Sequence, residues 1–207
     1  MLDRSNQLSI KSLIKRFIKI INLKIIHKGL MSFGEYWYLA KEIESISPSN
    51  ILVFGLGFDS ILWNDLNKNG KTIFIEDNND WIEKFENKNL SIKKVSYKTE
   101  IKKFQEYGFN NEILSLKLDK EITKTKWDII IIDGPLGHQP PREWAGPGRM
   151  SSLYTAKQLS KYAKYVVVDD FSREIERAFS YKYFGKENLY KLINKKLAFF
   201  KINNNEK

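Results

Sequence analysis

The middle of the chain alternates short apolar runs with longer polar or amphipathic stretches, and this alternation constrains the fold more than any other feature. Each run is rich in β-branched or aromatic residues and is followed by Gly, Asp or Glu. Such runs are typical of parallel strands that are covered on both faces by the helices between them. The strands predicted in this way are Ile51–Phe54, Thr72–Ile75, Ile129–Ile132 and Tyr165–Val168.

Three weaker segments complete the predicted sheet. Ser91–Tyr97 is a candidate fifth strand, and Leu189–Ile193 and Leu197–Ile202 flank the Asn194-Lys195 turn as an antiparallel pair. A chain of 207 residues is long enough to bury one sizeable core. We therefore predict an α/β fold, with a central, mostly parallel seven-stranded sheet and helices on both faces in a Rossmann-like arrangement.

The first 30 residues are predicted to form a basic amphipathic helical extension to a domain of residues 31–207. Lysines stand among its apolar residues, so this helix suits an anionic membrane surface, and it suits equally well docking on its own domain or on a partner subunit. A second helix is predicted from Ser32 to Ile46, before Ser47-Pro48. The apolar residues that recur at helical spacing in the first helix are Ile10, Leu13, Ile14, Phe17, Ile18, Ile21 and Ile25.

The amino-acid composition of the chain limits which binding partners and which cellular location we expect. The net charge is +10, but the lysines are scattered, which favours a solvated basic surface, and we expect no nucleic-acid partner. The absence of cysteine excludes disulfides, thiolate metal sites and a cysteine nucleophile. Charged residues interrupt the only candidate membrane span, and no secretory signal pattern is present. The expected location is cytoplasmic, with peripheral membrane contact through the first helix as an alternative.

Two glycines directly follow the first predicted strand. Gly55 and Gly57 allow the backbone to turn sharply and to approach a ligand closely. Glu76 ends the next strand, where a carboxylate accepts hydrogen bonds from a ribose diol; the alternative is a structural turn with Glu76 capping or solvated. Ser60 replaces the third glycine of a dinucleotide fingerprint, which favours S-adenosylmethionine over NAD or FAD. The predicted cofactor-binding residues are Gly55, Gly57, Asp59, Ser60, Glu76 and Asp133.

Carboxylates follow the other two central strands. Asp133 ends one strand, and Asp169 and Asp170 end the other. Ligands bind at the carboxyl ends of parallel strands, so we expect these side chains around one crevice. Their mutual repulsion requires a proton, arginines or a divalent cation such as magnesium or manganese. Asp133 and Asp170 are predicted to be catalytic, and all three are candidate metal ligands; alternatively, Asp170 caps a helix that begins near Ser172.

The loop between these strands is rich in Pro and Gly and carries further candidates. His138 is predicted as a reserve catalytic base, because a neutral imidazole accepts a proton near neutral pH; the alternative is an incidental loop histidine. Arg142 and Arg149, with Arg173 further along the chain, are predicted to hold a substrate carboxylate by bidentate hydrogen bonds. Their alternative role is to balance the aspartates.

In these motifs the sequence resembles the glucuronoxylan 4-O-methyltransferase family, the plant polysaccharide-biosynthesis domain. The resemblance runs from Met31 to the C-terminal strands, and Pro147–Met150 is its most specific piece. Asp169 departs from the histidine that is common in the family, His138 departs from an aromatic residue, and an insertion lengthens the loop. The matching segments are Ile51–Ser60, Phe74–Asp77, Trp81-Ile82, Tyr97–Thr99, Trp127–Pro135, Ala145–Met150, and Asp170 with Arg173 and Glu176.

The resemblance implies a class I methyltransferase fold, S-adenosylmethionine as methyl donor, and a glycan acceptor. The implied reaction is methylation of a sugar hydroxyl on an acidic unit of the glucuronic acid type, at O4. The residues leave two other classes open. One is a methyltransferase for RNA or for a small-molecule hydroxyl, and the other is a protein that binds S-adenosylmethionine without catalysis.

Overall fold

A computed structural model describes residues 10–27, 31–136 and 146–202, and seven strands in these ranges form one sheet. The strand order is β3-β2-β1-β4-β5-β7-β6. Strands β1 to β5 are parallel, and β7 runs antiparallel to both of its neighbours. The predicted Rossmann-like fold is thus confirmed. The strands are β1 (Asn50–Phe54), β2 (Lys71–Glu76), β3 (Ser91–Lys94), β4 (Ile129–Ile132), β5 (Tyr165–Val168), β6 (Leu189–Ile193) and β7 (Leu197–Lys201).

The burial and position of each strand explain which of the predicted strand boundaries are correct. All residues of β4 and β5 are buried, as expected for central parallel strands covered on both faces. β3 ends at Lys94, three residues before the predicted end at Tyr97. It lies at the sheet edge and pairs only with β2, so the chain leaves the ladder there. The Tyr97 hydroxyl instead lies 3.0 Å from Ser152 Oγ.

Helices cover the two faces and close two hydrophobic clusters. Alternate residues of the central strands point to opposite faces, so that Phe54 and Ile132 join one cluster and Val53 and Ile131 join the other. The carboxyl ends of the parallel strands therefore open at one edge. The helices are α1 (Ile10–Ile26), α2 (Phe33–Ile46), α3 (Ser60–Leu66), α4 (Asn79–Phe85), α5 (Phe104–Tyr107), α6 (Asn111–Leu114), α7 (Lys120–Lys124), α8 (Met150–Leu159) and α9 (Glu174–Phe184).

The start of α2 follows from its sequence. Ser32 is the N-cap, and its Oγ accepts a hydrogen bond from the Glu35 backbone N–H at 3.3 Å. Glu35 Oε2 accepts in return from the Ser32 N–H at 2.6 Å, which completes a capping box. The helix ends at Ile46, before Pro48, as predicted.

The first helix docks on the rest of the fold. Ile20 and Leu23 are buried in the same cluster as Tyr36 of α2. Arg16 is 1% exposed, and its Nε donates to Glu44 Oε2 at 2.8 Å. The apolar stripe predicted from the sequence lies on the other side of α1, where Ile14, Phe17, Ile18 and Ile25 are exposed. Among the described helices, none has the length and apolarity needed to cross a membrane.

Candidate active site

A cavity of about 1060 Å³ opens at the carboxyl edge of the parallel strands. Its walls also include the start of α2 and the turn between β6 and β7. His138 and Arg142 lie outside the described residues, and their roles stay predictions. Every other residue that the sequence singled out for the site lines this cavity: Gly55, Gly57, Asp59, Ser60, Glu76, Asp133, Arg149, Asp169, Asp170 and Arg173.

The glycine turn after β1 is shaped by a close crossing with the chain after β4. Gly55 has φ +110°, and a Cβ atom there would lie 2.9 Å from the Gly134 backbone nitrogen. Only glycine satisfies both the backbone conformation and the available space. The next glycine, Gly57, donates its N–H to Ser60 Oγ at 3.0 Å. Ser60 is buried, and its hydroxyl stabilises the turn by accepting this hydrogen bond.

Glu76 is fixed at the end of β2 by backbone donors. Its Oε2 accepts from the Leu56 N–H at 2.8 Å, and its Oε1 accepts from the N–H groups of Asp77 and Asn78, each at 2.9 Å. Burial raises the pKa of Glu76, while these hydrogen bonds lower it. A carboxylate has about four acceptor positions, so one remains for a ligand hydroxyl. Glu76 is therefore a local cap and is not solvated, yet it still offers an acceptor at the cavity wall.

Asp133 and Asp169 extend two adjacent strands and face one another. The Asp133 N–H donates to Phe54 O at 2.9 Å, and the Asp169 N–H donates to Ile132 O at 3.0 Å. Burial and the charge of Asp169 raise the pKa of Asp133 well above its usual range, and burial also raises the pKa of Asp169. The charge of Asp169 disfavours ionisation of Asp133, so the two carboxyl groups titrate as a linked pair. An ionised carboxylate on one member of the pair therefore favours a proton on the other.

Arg149 is buried next to Asp133 and Asp169, and its N–H groups donate to other groups of the protein. Nε donates to Pro135 O at 3.3 Å, Nη1 to Asp169 O at 2.8 Å, and Nη2 to Asp133 O at 3.0 Å. Nη2 also lies 3.3 Å from Asp133 Oδ1 and 3.0 Å from Asp170 Oδ2. The predicted role of Arg149 in holding a substrate carboxylate does not fit this geometry. The alternative fits, because Arg149 balances the aspartates and ties the ends of β4 and β5 together.

Asp170 differs from both interpretations of the sequence. Its φ of +56° is unusual for a residue other than glycine. Its Oδ2 accepts from Arg149 and, at 2.8 Å, from Arg173 Nη2, so it neither caps α9, which begins at Glu174, nor resembles a free base. Arg173 keeps 20% side-chain exposure at the cavity.

The predicted metal set is not supported. In the described ranges no group of three or more His, Cys, Asp or Glu side chains is arranged to hold a metal ion. The repulsion among Asp133, Asp169 and Asp170 is relieved in the two other ways that the sequence allowed. Arg149 pairs with Asp133 and Asp170, Arg173 pairs with Asp170, and the raised pKa values of Asp133 and Asp169 favour a proton on that pair.

The structure adds residues that the sequence did not single out. The hydroxyl of Tyr36 donates to Asp59 Oδ2 at 3.3 Å, and burial raises the pKa of Asp59 to about 6. Glu35 lines the cavity beside Lys196, which follows the β6–β7 turn. The Ser-x-x-Glu pattern of the capping box was visible in the sequence, but only tertiary packing places it at the cavity.

An aromatic wall lies beside Glu76. The rings of Phe58 and Trp81 line the cavity with their centroids 5.3 Å apart, edge to face. His27, at the end of α1, stacks on Phe58 at 3.5 Å, and Lys84 Nζ lies 4.1 Å from the centroid of the same ring. Phe58 and Trp81 therefore give the wall of the cavity aromatic surface, as is common in small-molecule sites.

Two motifs that are distant in sequence meet at the far side of the cavity. Thr99 Oγ1 donates to Pro147 O at 2.8 Å, and the Ile101 N–H donates to Gly146 O at 2.9 Å. Ser152 Oγ donates to Gly134 O at 3.0 Å. The first two bonds hold residues 146 and 147 against the chain after β3, and the third ties α8 to the chain after β4.

Comparison with known proteins now decides the family. The family described as IRX15/IRX15L/GXM matches residues 35–111 and 103–200. The chain belongs to this family. Glucuronoxylan 4-O-methyltransferase 3 of Arabidopsis thaliana is 36% identical over 171 residues, which are 72% of this chain and 56% of that protein. Arabinogalactan O-methyltransferase 1 of the same plant is 30% identical over 67% of this chain and 55% of that protein.

Membership of the IRX15/IRX15L/GXM family confirms the resemblance seen in the sequence. The chain spans little more than half the length of these curated relatives. Among solved structures, the Thermus thermophilus 16S rRNA N2 G1207 methyltransferase in complex with AdoMet and guanosine aligns with a TM-score of 0.47 at 15% identity. That alignment covers 85% of this chain and 44% of the other. The fold assignment rests on the strand order of the sheet itself.

Proposed function

We propose that this chain is an S-adenosylmethionine-dependent O-methyltransferase that methylates a glycan hydroxyl, on an acidic unit of the glucuronic acid type at O4. The observation that carries the proposal is a single cavity with the Gly55 turn and Glu76 on one side and the Asp133–Asp169 pair on the other. The names of two relatives, a glucuronoxylan 4-O-methyltransferase and an arabinogalactan O-methyltransferase, support a glycan acceptor.

The residues present fit the methyl donor. The Gly55 turn leaves backbone accessible without a Cβ atom, Glu76 has an acceptor position left for a ribose hydroxyl, and Phe58 with Trp81 offers an apolar wall for adenine. The cavity volume of about 1060 Å³ is at the upper end of small-molecule sites, which leaves room for a sugar beside the donor. S-adenosylmethionine, when bound, supplies an electrophilic methyl group on a sulfonium.

The acidic pair supplies the base. We assign the role of base to Asp169, whose carboxylate would accept the proton of the acceptor hydroxyl as the oxygen bonds to the methyl carbon and the bond from that carbon to the donor sulfur breaks. In its protonated form, which its raised pKa favours, Asp133 can donate a hydrogen bond to Asp169 and orient it. The remaining rate enhancement comes from positioning, since an in-line displacement needs the two reacting atoms held close together.

Two of the cations that line the cavity, Lys196 and Arg173, suit the acceptor carboxylate. Lys196 is exposed at the cavity, and among the described residues its ammonium makes no ion pair. Arg173 is anchored by Asp170 yet stays partly exposed beside it. Because Arg149 is fully engaged, we assign recognition of the acidic sugar to Lys196 and Arg173.

The predicted divalent cation is not part of this proposal. Arg149 and Arg173, together with the raised pKa values of Asp133 and Asp169, already offset the charges of the three carboxyl groups. We therefore expect full methyl transfer after treatment with EDTA and dialysis. Loss of activity that magnesium or manganese restores would return a cation to the mechanism.

The test of the proposed function is methyl transfer from labelled S-adenosylmethionine to a panel of acceptors. The panel contains xylo-oligosaccharides with and without glucuronic acid, and a structured RNA as the alternative substrate. The expected product carries the methyl group at O4 of the uronic acid, located by NMR. Calorimetric binding of S-adenosylmethionine without transfer to any acceptor would indicate a non-catalytic protein, and transfer to the RNA would overturn the glycan assignment.

A further inference from the structure

Helix α1 carries apolar residues on two opposite sides. One side docks on α2 through Ile20 and Leu23, with Arg16 paired to Glu44. The other side, here called the outer face of α1, contacts little else, although Phe17 touches Phe33 edge to face at 5.5 Å. The outer face consists of Ile14, Phe17, Ile18 and Ile25, continued by Ile26 at the end of the helix, and these side chains are 49% to 70% exposed.

Exposed apolar side chains are otherwise scattered over the described surface. Ile61 lies on α3, Phe109 lies just before α6, and Leu136 follows β4. The other exposed apolar residues are similarly dispersed. Single exposed apolar residues are ordinary, whereas a continuous apolar strip marks an interaction surface. The outer face of α1 is such a strip, because its members repeat at helical spacing along nearly the whole helix.

Charge identifies the partner. No acidic residue occurs between Ile10 and Ile26, and helical spacing places Lys15 and Lys19 along one edge of the outer face. Lys15 is exposed, and Lys19 keeps 28% side-chain exposure while its Nζ pairs with Asp65 at 2.6 Å. A second copy of this chain would bring lysines against lysines. An anionic surface with an apolar layer beneath it satisfies both the isoleucines and the lysines.

We propose that the outer face of α1 binds the surface of a membrane that contains anionic lipids. The helix lies in the plane of the interface, with its isoleucines below the headgroups and with Lys15 and Lys19 at the level of the phosphates. Docking on α2 forms the helix in advance, so binding requires no folding. Lys24 also lines the cavity, so membrane-bound α1 holds the cavity within one helix length of the lipid surface.

The experiment is flotation of the full chain with vesicles. We expect binding to phosphatidylcholine vesicles that contain about 30% phosphatidylglycerol, weaker binding to phosphatidylcholine alone, and several-fold weakening between about 0.05 M and about 0.5 M NaCl. The double substitution Ile18→Ser and Ile25→Ser should lower the partition coefficient about tenfold or more, because apolar burial in the lipid is lost. Leu192→Ser, at an exposed apolar residue of β6, is the matched control and should leave binding unchanged.

A second measurement does not depend on the folding of the double variant. The chain contains no cysteine, so Ile18→Cys and Leu192→Cys each provide a unique position for an environment-sensitive fluorophore. Anionic vesicles should shift the emission of the label at residue 18 to the blue and leave the label at residue 192 unchanged. Absence of both vesicle binding and this shift would overturn the proposal. So would a concentration-dependent dimer in sedimentation that the double substitution abolishes, since a second copy would then cover the face.

Discussion

A Cβ atom added to Gly134 would lie 2.5 Å from the Cα atom of Gly55. The chain leaving β4 therefore touches the turn leaving β1, and no side chain separates them. This contact brings the glycine turn beside Asp133 and so joins the two halves of the cavity. It also makes Gly134 a residue whose size limits the geometry of the site.

The first prediction is that Gly134→Ala lowers the free energy of unfolding by about 2 to 4 kcal/mol, because backbone must move to admit the methyl group. Gly34→Ala is the matched control. Gly34 lies in α2, and an added Cβ would meet its nearest atom, Asn194 Nδ2, at 3.8 Å. That control should be neutral or stabilising by up to about 1 kcal/mol. Urea denaturation measures both, and equal stability of the two variants would contradict the close crossing.

The second prediction concerns the linked titration of Asp133 and Asp169. Asp169→Asn removes the base and should lower kcat by about 10² to 10⁴. In the wild type the rate should rise with pH as Asp169 ionises, above its usual value of 3.8, and should change again at higher pH as Asp133 loses its proton. Asp133→Asn keeps a hydrogen-bond donor and should abolish the second change. Wild-type turnover in Asp169→Asn would exclude this residue as the base.

The third prediction concerns Asp59, whose pKa burial raises to about 6 from a usual value of 3.8. A raised pKa contributes stability that is fully present below pH 3.8 and is lost as pH rises through about 6. Asp59→Asn keeps an acceptor for the Tyr36 hydroxyl and removes the buried charge. The free energy of unfolding should then increase by about 3 kcal/mol at pH 8 and stay unchanged near pH 3.

Urea denaturation across this pH range provides the measurement for Asp59, with Asp80→Asn as the control, because Asp80 is exposed in α4. The control should follow the wild-type pH dependence. The same slope in both variants would show that Asp59 ionises like an exposed carboxyl group.

The fourth prediction compares how much the buried Arg149 and the exposed Arg177 contribute to the free energy of unfolding. Arg149→Met removes the donor to three carbonyl oxygens and to the Asp133 carboxyl group, leaves Asp170 with Arg173 alone, and should lower the free energy of unfolding by about 3 to 5 kcal/mol. Arg177→Met removes an exposed guanidinium that donates to Ser172 O and should change it by about 0.5 kcal/mol or less. Similar denaturation midpoints for the two variants would show that the buried network adds no stability.

The fifth prediction concerns recognition of the acidic sugar. Lys196→Ala should raise KM about tenfold for an oligosaccharide with glucuronic acid, leave kcat unchanged, and leave KM for the neutral oligosaccharide unchanged, because only the carboxylate loses its cation. Lys201→Ala makes the same change of charge on β7, away from the cavity, and serves as the control. An equal rise in KM for both oligosaccharides would remove Lys196 from this role.

Much of the fold was predictable because its signals are local. A strand buried on both faces needs an unbroken apolar run, so Ile129–Ile132 identified β4 without any knowledge of its neighbours. The glycine turn and the acidic strand ends were visible for the same reason, since chain order alone places them at one edge of a parallel sheet. The end of β3 was less predictable, because edge pairing depends on what the following residues contact.

The pairing of buried charges was decided only by the tertiary structure. Nothing near Arg149 in the sequence shows that its donors turn toward the carbonyl oxygens of Asp133 and Asp169. From the sequence, the apolar stripe of α1 suited a membrane surface and docking equally well, and only the tertiary structure shows that Ile20 and Leu23 dock while the stripe faces outward. The sequence by itself determined the strands, the glycine turn and the acids at the strand ends, because these depend on local periodicity. Which charged groups pair and which face of α1 docks depend on atoms brought together from distant parts of the chain.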